Sequence, residues 1–196
     1  MTPQQTLDTV CGAIDARNNT DPYRWIREAT DTHRHQHRCW AYPYADGTVL
    51  GAITAALRPG RALELGAALG YTACWWATRG AQVDTIEGDP VHVHLARENI
   101  KQAGPAGTVT VHEGDFADVM LRLGGPYDLA FFDGYEPPKT LLEQMSALLT
   151  GEGVLVTTNL DLGAGRFRSI LTANPAWTTC YIADLAISVR VERAHQ

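Results

Sequence analysis

The chain has 196 residues, with 16 Lys and Arg against 22 Asp and Glu for a net charge of -6, and is 45% hydrophobic and 19% charged. That size and balance suit one globular domain with a sizeable core, and the acidic charge argues against a nucleic-acid partner, which favours a basic face. No apolar run reaches membrane-spanning length, the first residues lack the blocks of a secretion signal, and Cys11, Cys39, Cys74 and Cys180 form no C-x-x-C pair, so free thiols, no membrane partner and a cytoplasmic location are expected.

Thr2-Pro3 with Gln5 predicts a helix start, a capping hydroxyl followed by proline at the first helical position. Leu7, Val10, Cys11 and Ile14 then share one helical face. Asp21-Pro22 repeats the start signal ahead of Trp25, Ile26 and Ala29. Residues 31–44, DTHRHQHRCWAYPY, read as loop. If that segment is extended, His33, His35 and His37 lie on one face, where they either bind a metal or form a solvated polar surface. Trp40, Tyr42 and Tyr44, crowded around Pro43, either wall a substrate pocket or pack between helices. Residues 1–45 are thus expected to form a helical and loop cap on a core spanning 46–196, the whole being a single domain. Asp46-Gly47-Thr48 starts the next helix, with Val49, Leu50, Ile53 and Leu57 on its apolar side, and Pro59-Gly60 stops it.

Residues 61–78, RALELGAALGYTACWWAT, then read as strand, glycine loop and helix. Gly66 lets the chain turn sharply and lets a ligand approach the backbone. No Gly-Lys-Ser/Thr follows Gly70, which excludes a phosphate loop, and the spacing G-x-x-x-G departs from the dinucleotide fingerprint. Gln82–Glu87 is a second strand ending in an acid about twenty residues after the loop, where a carboxylate accepts hydrogen bonds from ribose hydroxyls. Asp89-Pro90 caps a helix carrying Val93, Ala96, Ile100 and Ala103, which Gly104 ends. A third strand at 108–111 leads to Glu113-Gly114-Asp115-Phe116, where Asp115 either holds an adenine amino group with Phe116 against the ring or serves only as a helix cap.

Tyr127–Phe132 is a fourth strand that ends at Asp133-Gly134-Tyr135. Pro137-Pro138 opens a helix with Leu141, Leu142, Met145, Leu148 and Leu149, closed by Gly151 or Gly153, and a fifth strand at 154–158 leads to Asn159. Phe167, Ile170 and Leu171 mark a last helix stopped before Pro175, and 178–183 and 186–191 form a hairpin turning at Asp184. Five βα alternations with continuous apolar strands predict a mostly parallel sheet covered on both faces. Ligands of such sheets bind beyond the C-terminal strand ends, where Glu64, Gly66, Glu87, Asp115, Asp133 and Asn159 converge.

With those segments in view, from about Tyr44 onward the chain resembles the S-adenosylmethionine (SAM)-dependent O-methyltransferases of the catechol and caffeoyl-CoA type. The resemblance rests on GTVLGAITAAL, LELGAALGYT, DTIEGDP, HEGDF, FFDG and the terminal hairpin. It implies an α/β, Rossmann-like three-layer sandwich with a seven-stranded sheet whose last strand is antiparallel, methyl transfer from SAM to a small-molecule hydroxyl, and a possible homodimer. It places the cofactor at Glu64, Gly66, Ala67, Gly70, Tyr71, Thr72, Glu87, Gly88, Asp115, Phe116, Asp133 and Tyr135.

Metal-dependent members hold magnesium with an aspartate after the fourth strand and an Asp-Asn pair after the fifth. Asp133 and Asn159 match the outer two ligands, whereas Thr158 stands where the middle aspartate is expected. One carboxylate fewer weakens the magnesium site, with Asp161 a displaced substitute. The family's lysine three residues after the aspartate is replaced by Glu136, with Lys139 three further on. Asp133, Glu136, Lys139 and the histidines of 33–37 are therefore all candidate bases. Two other readings stand beside the methyltransferase: a SAM-binding protein without catalysis, and an NAD(P)-dependent oxidoreductase.

Overall fold

The computed structural model describes residues 21–190. The expected helix start at Thr2-Pro3 and Cys11 lie outside them.

The first described helix, α1 (Arg24–His37), runs through the segment read from sequence as loop. Nothing between Trp25 and His37 breaks a helix, and its alternating polar residues are the outer side of an amphipathic one. Ile26 and Thr30 are buried, the Thr30 and Thr32 hydroxyls bond back to the carbonyls of Ile26 and Glu28, and Asp31 pairs with Arg34 and His35. Arg38, left-handed at φ 51°, ends it, and 39–46 is loop, as expected for the aromatic cluster. Asp46 then caps α2 (Gly47–Leu57) by accepting from the Thr48 amide at 3.0 Å.

The core follows the predicted alternation: β1 (Arg61–Leu65), α3 (Tyr71–Ala77), β2 (Gln82–Glu87), α4 (Pro90–Ala103), β3 (Thr108–Glu113), α5 (Phe116–Met120), β4 (Tyr127–Phe132), α6 (Lys139–Leu148), β5 (Leu149–Thr157), a 3-10 turn at Leu162–Gly165, α7 (Arg166–Ala173), β6 (Trp177–Ile182) and β7 (Leu185–Arg190). The expected start of α4 is present in detail, with Asp89 accepting from the amides of Val91 and His92 and Pro90 at the first turn. The end of α6 differs from the expectation. The helix stops at Leu148 rather than at a glycine, because buried Leu149 already pairs with Tyr127 and begins β5 five residues early, with a register shift before Val154 meets Leu129.

The seven strands form one sheet in the order β3-β2-β1-β4-β5-β7-β6. Strands β3, β2, β1, β4 and β5 pair in parallel, and β7 runs antiparallel to both β5 and β6. Strand order reverses between β1 and β4, so their C-terminal ends flank the crevice where such sheets bind ligands. Period-2 alternation sends strand side chains to two apolar layers. Ala62, Leu129, Phe131, Val154 and Val156 join Ile26, Leu50, Cys74 and Trp76 on one face. Leu63, Leu65, Tyr127, Phe132 and Leu155 join Met145 and Phe167 on the other. Tyr23 and Ile26 fix α1 to the first layer, and Tyr23 meets Trp75 edge-on at 5.3 Å. No described helix is long and apolar enough to cross a membrane.

Candidate active site

Strand register builds the site. Leu65 lies opposite Ile86 on one side and Phe132 on the other, and Phe132 lies opposite Thr157. The residues that follow, Gly66, Glu87, Asp133 and Thr158, therefore emerge side by side at one rim. They line a cavity of about 920 Å³ between the sheet edge and the 39–45 loop.

On the β1 side, Gly66 turns the chain at φ 96°, a left-handed conformation that favours glycine, and its amide donates to the Ile86 carbonyl at 2.9 Å. Gly70, also left-handed, starts α3 tight against Ile100, where a Cβ would meet a side-chain carbon at 2.9 Å. Glu87 is clamped by main chain: Oε2 accepts from the Ala68 amide at 2.8 Å and Oε1 from the Asp89 amide at 3.0 Å. Its carboxylate thus holds the glycine loop and still faces the cavity. Ala67, Tyr71, Thr72, Phe116 and Tyr135 line the same space. Tyr71 donates its hydroxyl proton to Asp21 at 2.6 Å and accepts from the Gly47 amide at 3.0 Å, tying the cap to the site. Gly70 and Gly88 shape the loops without lining the cavity. Asp115 takes the capping role, accepting from the amides of Ala117 and Asp118, and is not among the lining residues.

Glu64 is fully buried behind the loop. The Thr85 hydroxyl donates to Oε2 at 2.6 Å, while Oε1 has no partner. Burial in the apolar layer pushes its carboxyl up to about 7. Glu64 does not line the cavity, so it faces a ligand there only as a buried charge behind the glycine loop.

On the β4 side, the Asp133 carboxyl is pushed up to about 6, first by burial and further by the charge of Asp184. The Thr158 hydroxyl donates to its Oδ1, and so does Asn159 Nδ2 at 3.0 Å. Asn159 is left-handed at φ 59°, and Nδ2 also donates to the Asp133 carbonyl at 3.1 Å. The set Asp133, Thr158 and Asn159 supplies one carboxylate, and one of its oxygens already takes two donors. Magnesium is held through one or two carboxylates and several waters; with Oδ1 taken by two donors, only Oδ2 is open to it, so the set fits magnesium poorly. Asp161 pairs with Arg168 at 3.1 Å and does not line the cavity.

Of the three catalytic candidates, Asp133 alone lines the cavity. Glu136 is held by both Nε and an Nη of Arg166, at 3.1 and 2.6 Å. Lys139, on the exposed first turn of α6, pairs with Glu143. The aromatic loop does wall the cavity. Tyr44 packs edge-on against Phe131 at 6.1 Å, and burial and the nearby Asp133 raise its hydroxyl well above the usual range. Trp40, Tyr42 and Tyr135 are exposed at the mouth. Asp184, Cys39 and His92 also line the space. Sequence reading placed Asp184 only in the hairpin turn and missed His92, because their approach depends on the chain's path around the sheet edge.

Comparison with known proteins identifies the family. Residues 63–159 match the family described as "Methyltransferase domain". The chain is 32% identical over 137 residues to a catechol O-methyltransferase of Niastella koreensis, covering 58% of this chain and 62% of that protein. It is 31% identical over 125 residues to that of Sus scrofa, covering 58% and 67%. Among solved structures it superposes on the SAH-bound Podospora anserina methyltransferase PaMTH1 with a TM-score of 0.75, at 20% identity and 98% coverage of both chains. The match to the Niastella relative thus takes in about three-fifths of that protein's length.

Proposed function

The chain belongs to the SAM-dependent O-methyltransferases of the catechol and caffeoyl-CoA type, and from that premise we propose that its cavity transfers the SAM methyl group to a hydroxyl of a small aromatic molecule. The observation that carries this reading is the pair Glu87 and Asp133, at the ends of β2 and β4, facing one cavity on either side of the Gly66 turn. Family membership also removes the nicotinamide alternative.

Glu87 accepts from both ribose hydroxyls of the cofactor, its two main-chain bonds fixing it beforehand. Phe116 lies against adenine. Gly66 and Ala67 admit the methionine backbone close to the main chain, and the unpaired Oε1 of Glu64 draws the ammonium. The sulfonium supplies the reactive methyl. The protein's part is to align it with the acceptor oxygen and to take the acceptor's proton.

Asp133 is the group placed to take that proton. A carboxyl raised to about 6 is ionised at neutral pH yet more basic than an exposed aspartate. The donors from Thr158 and Asn159 hold Oδ1, leaving Oδ2 for the acceptor hydroxyl. Tyr44, Trp40, Tyr42 and Tyr135 form an aromatic wall suited to a phenol or catechol ring. The transfer consumes the cofactor's positive charge as the proton leaves the acceptor, so no strong Lewis acid is required. We therefore read the reaction as metal-independent.

Calorimetry on the intact chain tests the cofactor assignment. SAH is expected to bind at micromolar Kd. Glu87→Ala should weaken it about 100-fold, since charge-assisted hydrogen bonds contribute about 1.5–3 kcal/mol each. No SAH binding to the wild-type chain would overturn the reading.

A further inference from the structure

We propose that His33, Cys39 and His92 form a binding site for a thiophilic divalent cation, zinc by its chemistry, that pins α1 and the aromatic loop to the core. The three potential ligand atoms lie within 4.8 Å of one another, and among the described residues theirs is the one such trio of His, Cys or acidic side chains.

The fold brings them together from three places. Because α1 continues through His37, His33 occupies its last turns, and the left-handed turn at Arg38 delivers Cys39 next. His92 comes from the first turn of α4. The rings of His33 and His92 stand 5.3 Å apart and nearly perpendicular, at 79°. Cys39 is a free thiol.

His92 carries the strongest sign. It is only 5% exposed, yet its Nδ1 lies 3.7 Å from Glu87 Oε1 and its Nε2 3.9 Å from Asp89 Oδ2, both beyond hydrogen-bond reach. Among the described residues neither nitrogen has a protein partner, and because His92 lines the cavity its ring is open to a ligand from that side. A cation on one nitrogen, with the neighbouring carboxylate drawn onto the other, satisfies both in the carboxylate–histidine–metal pattern. One thiolate and two imidazoles select zinc over magnesium. Zinc bonds of about 2.0–2.3 Å put tetrahedral ligand atoms about 3.3–3.8 Å apart, so the trio must contract by roughly 1 Å, with water as the fourth ligand.

Cys39 and His92 also line the cavity, and Cys39 leads directly into Trp40–Tyr44, so a bound ion fixes where the aromatic wall sits. The site stands on geometry alone and does not depend on the methyl-transfer reading.

The test uses the full chain, stripped with chelator and titrated with Zn²⁺ and Co²⁺. One equivalent should bind, zinc should raise the melting temperature, and cobalt should give thiolate-to-metal charge-transfer absorption. Cys39→Ser should abolish that absorption, Cys39→Ser and His92→Asn should each weaken zinc at least tenfold, and His35→Ala should leave binding unchanged. Absence of cobalt–thiolate absorption in the wild-type chain overturns the proposal without any variant. So does absorption that survives Cys39→Ser, or zinc affinity unchanged in His92→Asn.

Discussion

Two carboxyls, Asp133 half-buried and Glu64 fully buried, carry the proposed chemistry, and they do opposite things to the protein. Asp133 acts as base only when ionised. With its carboxyl at about 6, kcat/KM should rise with pH through that value and level above it. Asp133→Asn should abolish the inflection and lower kcat at least about 100-fold, the usual reach of a general base, while changing SAH affinity little. Steady-state pH profiles of the two proteins check this. On the proposed reading Glu64 serves binding at the expense of stability. Its carboxyl rises from 4.5 in the free state to about 7 when folded, so between those values the folded chain holds a proton that the unfolded chain has lost. Stability is therefore full below the lower value and falls as pH climbs through the upper one. Glu64→Gln should flatten that fall and make the ligand-free protein more stable above about pH 8, by up to roughly 3 kcal/mol, while weakening SAH binding. Urea unfolding at about pH 5 and about pH 8 measures the first effect and calorimetry the second. A Glu64→Gln protein no more stable than wild type at the higher pH would contradict the buried-charge account.

At the scale of elements, α2 packs closely on α3, and the Tyr71 hydroxyl between them ties Asp21 of the cap to the core. Gly47 sits so close to α3 that a Cβ would lie 2.0 Å from Trp75 Nε1 and 2.6 Å from the Tyr71 hydroxyl. Gly47→Ala should cost about 1–3 kcal/mol, as overpacking does, read as a lower urea midpoint. It should also loosen SAH binding, because Tyr71 lines the cavity. Elements were legible in the sequence wherever start and stop signals were local. Asp89-Pro90 and Gly104 set the limits of α4, and Gln82–Glu87 and Tyr127–Phe132 coincide with β2 and β4. Two boundaries were not legible for a shared reason: tertiary packing decided them. Helix α1 continues through a polar stretch because its other face, Ile26 and Thr30, is buried. Strand β5 starts early because Leu149 is claimed by Tyr127 across the sheet.

On the scale of the whole molecule, the alternation of strands and helices fixed the topology, and topology fixed the site. Once β1 and β4 are neighbours with reversed order on either side, strand-end residues far apart in sequence must share one rim. That is why Glu87 and Asp133 could be named from sequence. The position of side chains one turn further out could not. Glu136 and Lys139 follow Asp133 closely in the chain, but Glu136 turns to Arg166 and Lys139 to solvent. Asp115 spends its carboxylate on its own helix. His92 enters the cavity wall from α4, whose start faces the cap.

Thr158 stands where the family resemblance expects a second aspartate, and it is where the proposed mechanism is most exposed to test. Its hydroxyl donates to Asp133, and on the proposed reading Asp133 then serves as base rather than as a magnesium ligand. The most direct measurement is SAH formation by the wild-type chain with SAM and a panel of phenols and catechols, followed by mass spectrometry with and without excess chelator. The account predicts acceptor-dependent SAH and a monomethylated product, with most of the rate retained in chelator and almost none left in Asp133→Asn. Turnover that vanishes in chelator and returns with magnesium, or bound SAM that methylates no hydroxyl in the panel, would contradict it.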